Sequence, residues 1–146
     1  MFIFKKKIHL FIIVVFIGTI VPSFSLAAWS QTADFFVDPE FDLNGRNQIE
    51  TQLIKTTNKL YFYADKNWYS SFSQKTELDS KLYNLATNFE YQTYPFLTNL
   101  LGFEDNPGVD NDSRIVVVLE PLKKDYGGYI QTGDRYLKED YSLSNQ

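Results

Sequence analysis

Asp105, Asp110 and Asp112 crowd one short loop with Asn106, Pro107, Gly108 and Asn111, residues that favour turns. Calcium takes several oxygens, and carboxylates at alternate positions converge on one point, which is the spacing of Asp110 and Asp112. The backbone carbonyl of Arg114 adds a further oxygen. Against a cation, Ser113 stands where calcium loops place glycine. Leu119 stands where they place a bidentate glutamate, with Glu120 one position late. The competing reading is a solvated turn whose aspartates bond to the neighbouring backbone. Calcium is thus the one cofactor that this chain's own residues suggest, and three aspartates are its candidate ligands.

Other chemistries are limited by what the sequence lacks. The one histidine is His9, and there is no cysteine. Zinc sites are built on nitrogen or sulfur ligands, and Ser-His-Asp and Cys-His catalysis need the same groups, so residues 10–146 supply none of these centres. Paired carboxylates for general acid–base work are conceivable among Glu90, Glu104, Asp105 and Glu120, but spacing singles out no pair. Tyr61, Tyr63, Trp68 and Tyr69 cluster near one hairpin end. There Trp68 and Tyr69 are candidates for a binding platform, and core packing is the alternative. Gly127-Gly128 lacks the spacing of a phosphate loop and reads as a sharp turn with glycine at positive φ.

The elements that position these residues begin after an export signal. Lys5, Lys6 and Lys7 precede the apolar run Leu10–Val21, Pro22 breaks it, and Ser25-Leu26-Ala27 presents small residues for cleavage after Ala27. Residues 1–27 therefore read as a secretory signal peptide and 28–146 as a single domain, secreted after cleavage. The alternative is a membrane anchor formed by the uncleaved segment, although its apolar core is shorter than the roughly 20 residues of a spanning helix. The whole chain carries 14 Lys+Arg against 18 Asp+Glu, and without Lys5–Lys7 the balance is 11 against 18. That acidity argues against nucleic acid as partner, and membrane contact is expected only through the signal segment during export.

Along the remaining chain, Ala33–Asp38 reads as a short strand ended by Pro39. Ile49–Lys55 and Leu60–Ala64 read as a β-hairpin around Thr56-Thr57-Asn58, closed by Asp65-Lys66-Asn67. Leu78, Leu82, Leu85 and Phe89, with Ala86 beside them, give a helical stripe. It is capped by Ser73 and ends near Thr93, because Tyr94 precedes proline. Pro95 opens a second short helix stopped by Gly102. Ile115–Leu119 is an unbroken β-branched run, expected as a strand buried on both faces against which the upstream elements pack. Past Asp134 no strong element is evident. These elements make an α+β fold: a small sheet with a hairpin, one long amphipathic helix and a buried strand.

The series Phe89-Glu90, Tyr94-Pro95, Phe103, Asp110-Asn111-Asp112-Ser113-Arg114-Ile115, Gly128-Tyr129, Gly133-Asp134 and Ser144-Asn145 resembles secreted bacterial zinc metallopeptidases of the hyicolysin type. The resemblance covers roughly the last two thirds of the chain. It implies the upstream half of a zincin-like peptidase domain, lying before the helix that bears H-E-x-x-H. On that resemblance, the fold supports the zinc helix and forms one wall of a cleft for a protein or peptide substrate. Zinc and the residues that activate water then belong to the family's downstream half. The chain itself holds no zinc ligand and is expected to be inactive alone. The alternative is a small secreted binding module without catalysis, using the aromatic residues around Trp68 or the acidic loop.

Overall fold

The computed structural model describes residues 31–103, 108–109 and 111–145. The segment expected to be an export signal, with Ala27, and Glu104, Asp105 and Asp110, lie outside them. Four strands form one sheet in the order β1-β2-β3-β4: β1 (Thr32–Phe36), β2 (Gln48–Thr56), β3 (Leu60–Asp65) and β4 (Ile115–Leu119). β1–β2 and β2–β3 are antiparallel, the second pair being the expected hairpin. β4 lies parallel to β3, with Leu60 opposite Ile115 and Ala64 opposite Leu119. A parallel neighbour requires a crossover. This one carries α1 (Lys66–Ser71), α2 (Lys75–Asn88), a π-helical turn (Phe89–Thr93) and α3 (Tyr94–Leu101).

The centre of the sheet is β3, whose six residues are all buried. Its alternation splits the core in two. Tyr61 and Tyr63 pack with Phe35, Val37 and Ile49 on one face, while Leu60 and Phe62 meet Leu82 and Ala86 of α2 on the other. β2 alternates only as far as Leu53, where a bulge shifts its register against β3. Lys55 is thereby opposite Phe62 instead of sharing a face with Leu53, and its Nζ reaches Asp79 of α2 at 2.6 Å.

The strand Ile115–Leu119 departs from the expectation of full burial. Val116 and Val118 pack on the first cluster and Val117 and Leu119 on the second, so both faces carry apolar partners. Yet β4 is the end of the sheet among the described residues, and Ile115 remains 47 % exposed. An apolar run reports what its two faces meet and says nothing of its hydrogen-bonding edge. The strand that the upstream chain is built around is β3.

The helices also differ from expectation. Gln74, not Ser73, precedes the first turn of α2, with no side-chain cap. Leu82 and Ala86 are buried, whereas Leu85 is exposed. The helical path does not end at Thr93: Tyr94 keeps φ −61° and ψ −50°, and its N–H donates to the Phe89 carbonyl five residues back. That widened turn accommodates Pro95, which supplies no N–H and crowds the carbonyl four residues before it. Gly102, at φ +89°, then stops α3 as expected. The short helix α1 was not anticipated. Asp65 begins it, its Oδ1 accepting from the Trp68 N–H at 2.8 Å.

After β4 the chain crosses back over the β1–β2 connection. Leu43 N–H donates to Pro121 O, and Lys123 N–H to Phe41 O. The polar tail, where no element was read, is nonetheless held in place. Asn145 pairs with both backbone groups of Phe36, its Oδ1 accepting from the N–H at 2.6 Å and its Nδ2 donating to the carbonyl at 3.2 Å. Ser144 is fully buried, and a Cβ on Gly133 would meet the Tyr141 ring at 2.2 Å. Among the described residues no helix is long and apolar enough to cross a membrane.

Candidate functional site

Because β3 and β4 run in parallel, their carboxyl ends lie side by side, and sites in α/β sheets favour such ends. Asp65 closes β3 and Glu120 follows β4 directly, so the register places the two acids together. Asp42 joins them from the β1–β2 connection, in a turn through Asn44 and Gly45, the latter at φ +67°. Arg46 supplies the cation. Its Nη2 bonds Asp42 Oδ1 at 2.6 Å and its Nη1 bonds Asp65 Oδ2 at 2.5 Å. The backbone N–H groups of Asn44 and Arg46 also donate to Asp42 Oδ2, at 2.9 and 2.8 Å.

These bonds decide how the acids behave. The Arg46 side chain holds the Asp42 carboxyl below the ordinary range despite burial, and Asp42 in turn raises Arg46. Glu120 goes the other way. Burial pushes its carboxyl up, the bond from Tyr129 pulls it down, and the negative charges of Asp42 and Asp65 push it up again. Its Oε1 accepts from Tyr129 OH at 2.9 Å, while Oε2 is buried with no hydrogen-bond partner among the described residues. Burial likewise raises the Tyr129 phenol. That hydroxyl also accepts from the Asp38 N–H at 3.2 Å, and the ring stacks on Phe41 with centroids 4.7 Å apart. Two carboxylates therefore hold one guanidinium, and Glu120 lies near enough to feel the charge of all three. Tyr129 also lines an open cleft of about 360 Å³, together with Val37, Pro39, Gln131, Tyr141 and Leu143.

Of the calcium candidates, only Asp112 is among the described residues. Its Oδ1 accepts from the Arg114 backbone N–H and Nε, and its Oδ2 from Arg114 Nη2 and Tyr61 OH. The Arg114 side chain holds the Asp112 carboxyl low, while burial and Asp112 push the Tyr61 phenol up to about 12. Arg114 also lies over the Tyr61 ring, 4.2 Å from its centroid. The acidic loop is thus moored to the central strand through its last aspartate.

Trp68 and Tyr69 lie half-buried on α1, the Trp68 ring against Phe72 at 4.8 Å and Lys75 Nζ over the Tyr69 ring at 4.5 Å. Tyr61 and Tyr63 are core residues. Glu90 is half-buried and accepts from the Lys59 N–H at 3.0 Å, so it fastens the π-helical turn to the start of β3. The hydrogen-bonded turn falls before Gly127-Gly128: Tyr126 N–H bonds Lys123 O with Asp125 at φ +81°, while Gly128 has φ +159°.

Of the residues that meet at the strand ends, only Glu120 stood among the carboxylates weighed for chemistry. Asp42 and Arg46 carried one local signal, an acid and a base four apart around Asn44-Gly45. Among the described residues no group of three or more His, Cys, Asp or Glu is arranged to hold a metal ion. A zinc centre does not fit this donor set, since residues 10–146 contain neither histidine nor cysteine. No protein-family model, no curated protein and no solved structure matches this chain.

Proposed function

We propose that this chain is the non-catalytic N-terminal portion of a secreted zinc-dependent metallopeptidase, exported by residues 1–27. The observation that carries the reading is the apolar surface beyond α2. Phe96, Leu100, Leu101 and Phe103 are all exposed, Phe103 to 82 %, and β4, which follows them in the chain, is the end of the sheet among the described residues. Soluble monomers rarely leave several large apolar side chains of one segment uncovered, and such patches mark surfaces that another unit covers. The resemblance in the segment from Phe89 to Asn145 supports a particular partner for that surface, the zinc-bearing half of the same enzyme. In this reading the sheet, α2 and α3 form a scaffold and one wall of the cleft that receives a protein or peptide substrate. Zinc and the residues that activate water come from the covering half, and this chain supplies none of them. Asp112 serves the scaffold through Arg114 and Tyr61, rather than calcium.

The purified protein is expected to bind the dye ANS, to self-associate at micromolar concentration, to take up no stoichiometric zinc and to cleave no peptide. Size-exclusion chromatography, ANS fluorescence, metal analysis and a peptide-cleavage assay read the four. A dye-silent, monodisperse monomer would overturn the scaffold reading. It would favour the second one, a small secreted binding module, for which the open cleft beside Tyr129 is the specific support.

A further inference from the structure

Glu120 follows the last residue of β4, and its carboxyl is placed where a charge is costly. Oε2 meets no donor among the described residues, and the one donor to Oε1 is Tyr129 OH. The groups facing it are unequal. Asp42 and Arg46 approach from the β1–β2 connection, Asp65 from the end of β3, and Tyr129 from the tail, with Asp38 behind Tyr129. Arg46, the one cation of this cluster, is already held by Asp42 and Asp65. An ionised Glu120 therefore adds a third negative charge to a buried group that has one positive charge. Buried carboxyls in that position take up a proton or turn towards water.

The same residue joins two segments. Tyr129 OH bonds Glu120 on one side and the Asp38 N–H on the other, and its ring rests on Phe41. Tyr129 is also part of the cleft wall.

We propose that Glu120 and Tyr129 form a proton-operated clip: with Glu120 neutral the segment from Glu120 to Gln131 is fastened to the β1–β2 connection, and ionisation of Glu120, whose burial and repulsion from Asp42 and Asp65 outweigh the firmer bond from Tyr129, releases it and widens the cleft. The inference stands apart from the peptidase reading, since it uses only groups within this chain. The sign follows from linkage. The folded-state value of Glu120 is raised, so its contribution to stability is complete below the ordinary glutamate value and is lost as pH rises through the folded one. Asp42, held low, contributes in the opposite sense and loses its contribution on acidification. The effect of Glu120 is therefore read as a difference between two proteins at each pH.

Glu120→Gln removes the charge and keeps an acceptor for Tyr129. Melting temperature and amide exchange, corrected for the intrinsic rate, are measured on the purified protein and this variant from pH 4 to pH 8. Expected is a melting-temperature advantage of the variant that is near zero at the acid end and grows as pH rises. Faster exchange of the amides from Leu122 to Gln131 should accompany it in the natural protein alone. Parallel melting profiles, or exchange at Leu122–Gln131 that does not follow pH, would overturn the clip. If Glu120→Gln does not fold, direct NMR titration of the Glu120 carboxyl in the natural protein decides. A midpoint above that of an ordinary glutamate, with the Tyr129 ring signals shifting in step, sustains the proposal. A midpoint at or below it ends the proposal.

Discussion

Replacing Arg46 with methionine will destabilise the fold by about 3–5 kcal/mol, the cost typical of removing one partner from a buried ion pair. Asp42 and Asp65 are 0 % and 2 % exposed, and both rely on the same guanidinium. Methionine keeps much of the stem's packing, so the loss isolates the charge. Asp42 would retain the two backbone donors of its turn, and Asp65 the Trp68 N–H that it caps. Neither set replaces a counter-charge. The pH dependence should also invert. In the natural protein the Asp42 carboxyl is held low, so its contribution is present above the ordinary aspartate value and fades as pH falls through the folded one. Without Arg46 the buried Asp42 carboxyl favours protonation, and the variant should gain stability as pH falls towards the ordinary aspartate value. Urea unfolding at about pH 2.5, pH 4 and pH 7 checks both statements. A loss below about 1 kcal/mol with an unchanged slope would place the pair among surface ion pairs instead.

Phe62→Ala is expected to cost about 3–5 kcal/mol, as large-to-small changes of buried aromatics do. Phe62 is fully buried at the middle of β3, and on its face it meets Leu82 and Ala86 of α2 with Ile54 and Val117 at the sides. Removing the ring leaves a cavity between sheet and helix that neither backbone can close without shifting the other. Ile115→Ala, at the open edge of the same sheet, should cost well under half as much because its side chain is already 47 % exposed. Chemical denaturation of the two variants side by side provides the comparison. Equal costs would mean that β4 is covered in solution and that β3 is not the centre of the core.

The hairpin was legible because its signals are local: two β-rich runs flank a short polar turn, and their pairing needs no distant partner. Leu82 and Ala86 were legible for the same reason, through their spacing on one helix. Features decided by distant residues were not. The bulge that turns Lys55 towards Asp79 showed only as imperfect alternation. Pro95 read as a boundary, because the rule for a residue before proline does not foresee a π-helical turn that absorbs the conflict. The polar tail looked structureless, although Asn145 bonds Phe36 from 109 positions away. The acidic cluster is the largest case. Asp42, Asp65 and Glu120 have no pattern in the sequence, and only the parallel pairing of β4 with β3 brings the last two together.

The scaffold reading makes one statement that reaches beyond this chain: a zinc-bearing half completes it. Reading the genomic DNA through about the next 100 codons beyond Gln146 tests that most directly. Expected is an uninterrupted frame encoding H-E-x-x-H on a helical stretch, whose apolar face would cover Phe96, Leu100, Leu101 and Phe103. A stop codon directly after Gln146, with no such motif in any nearby frame, would contradict it.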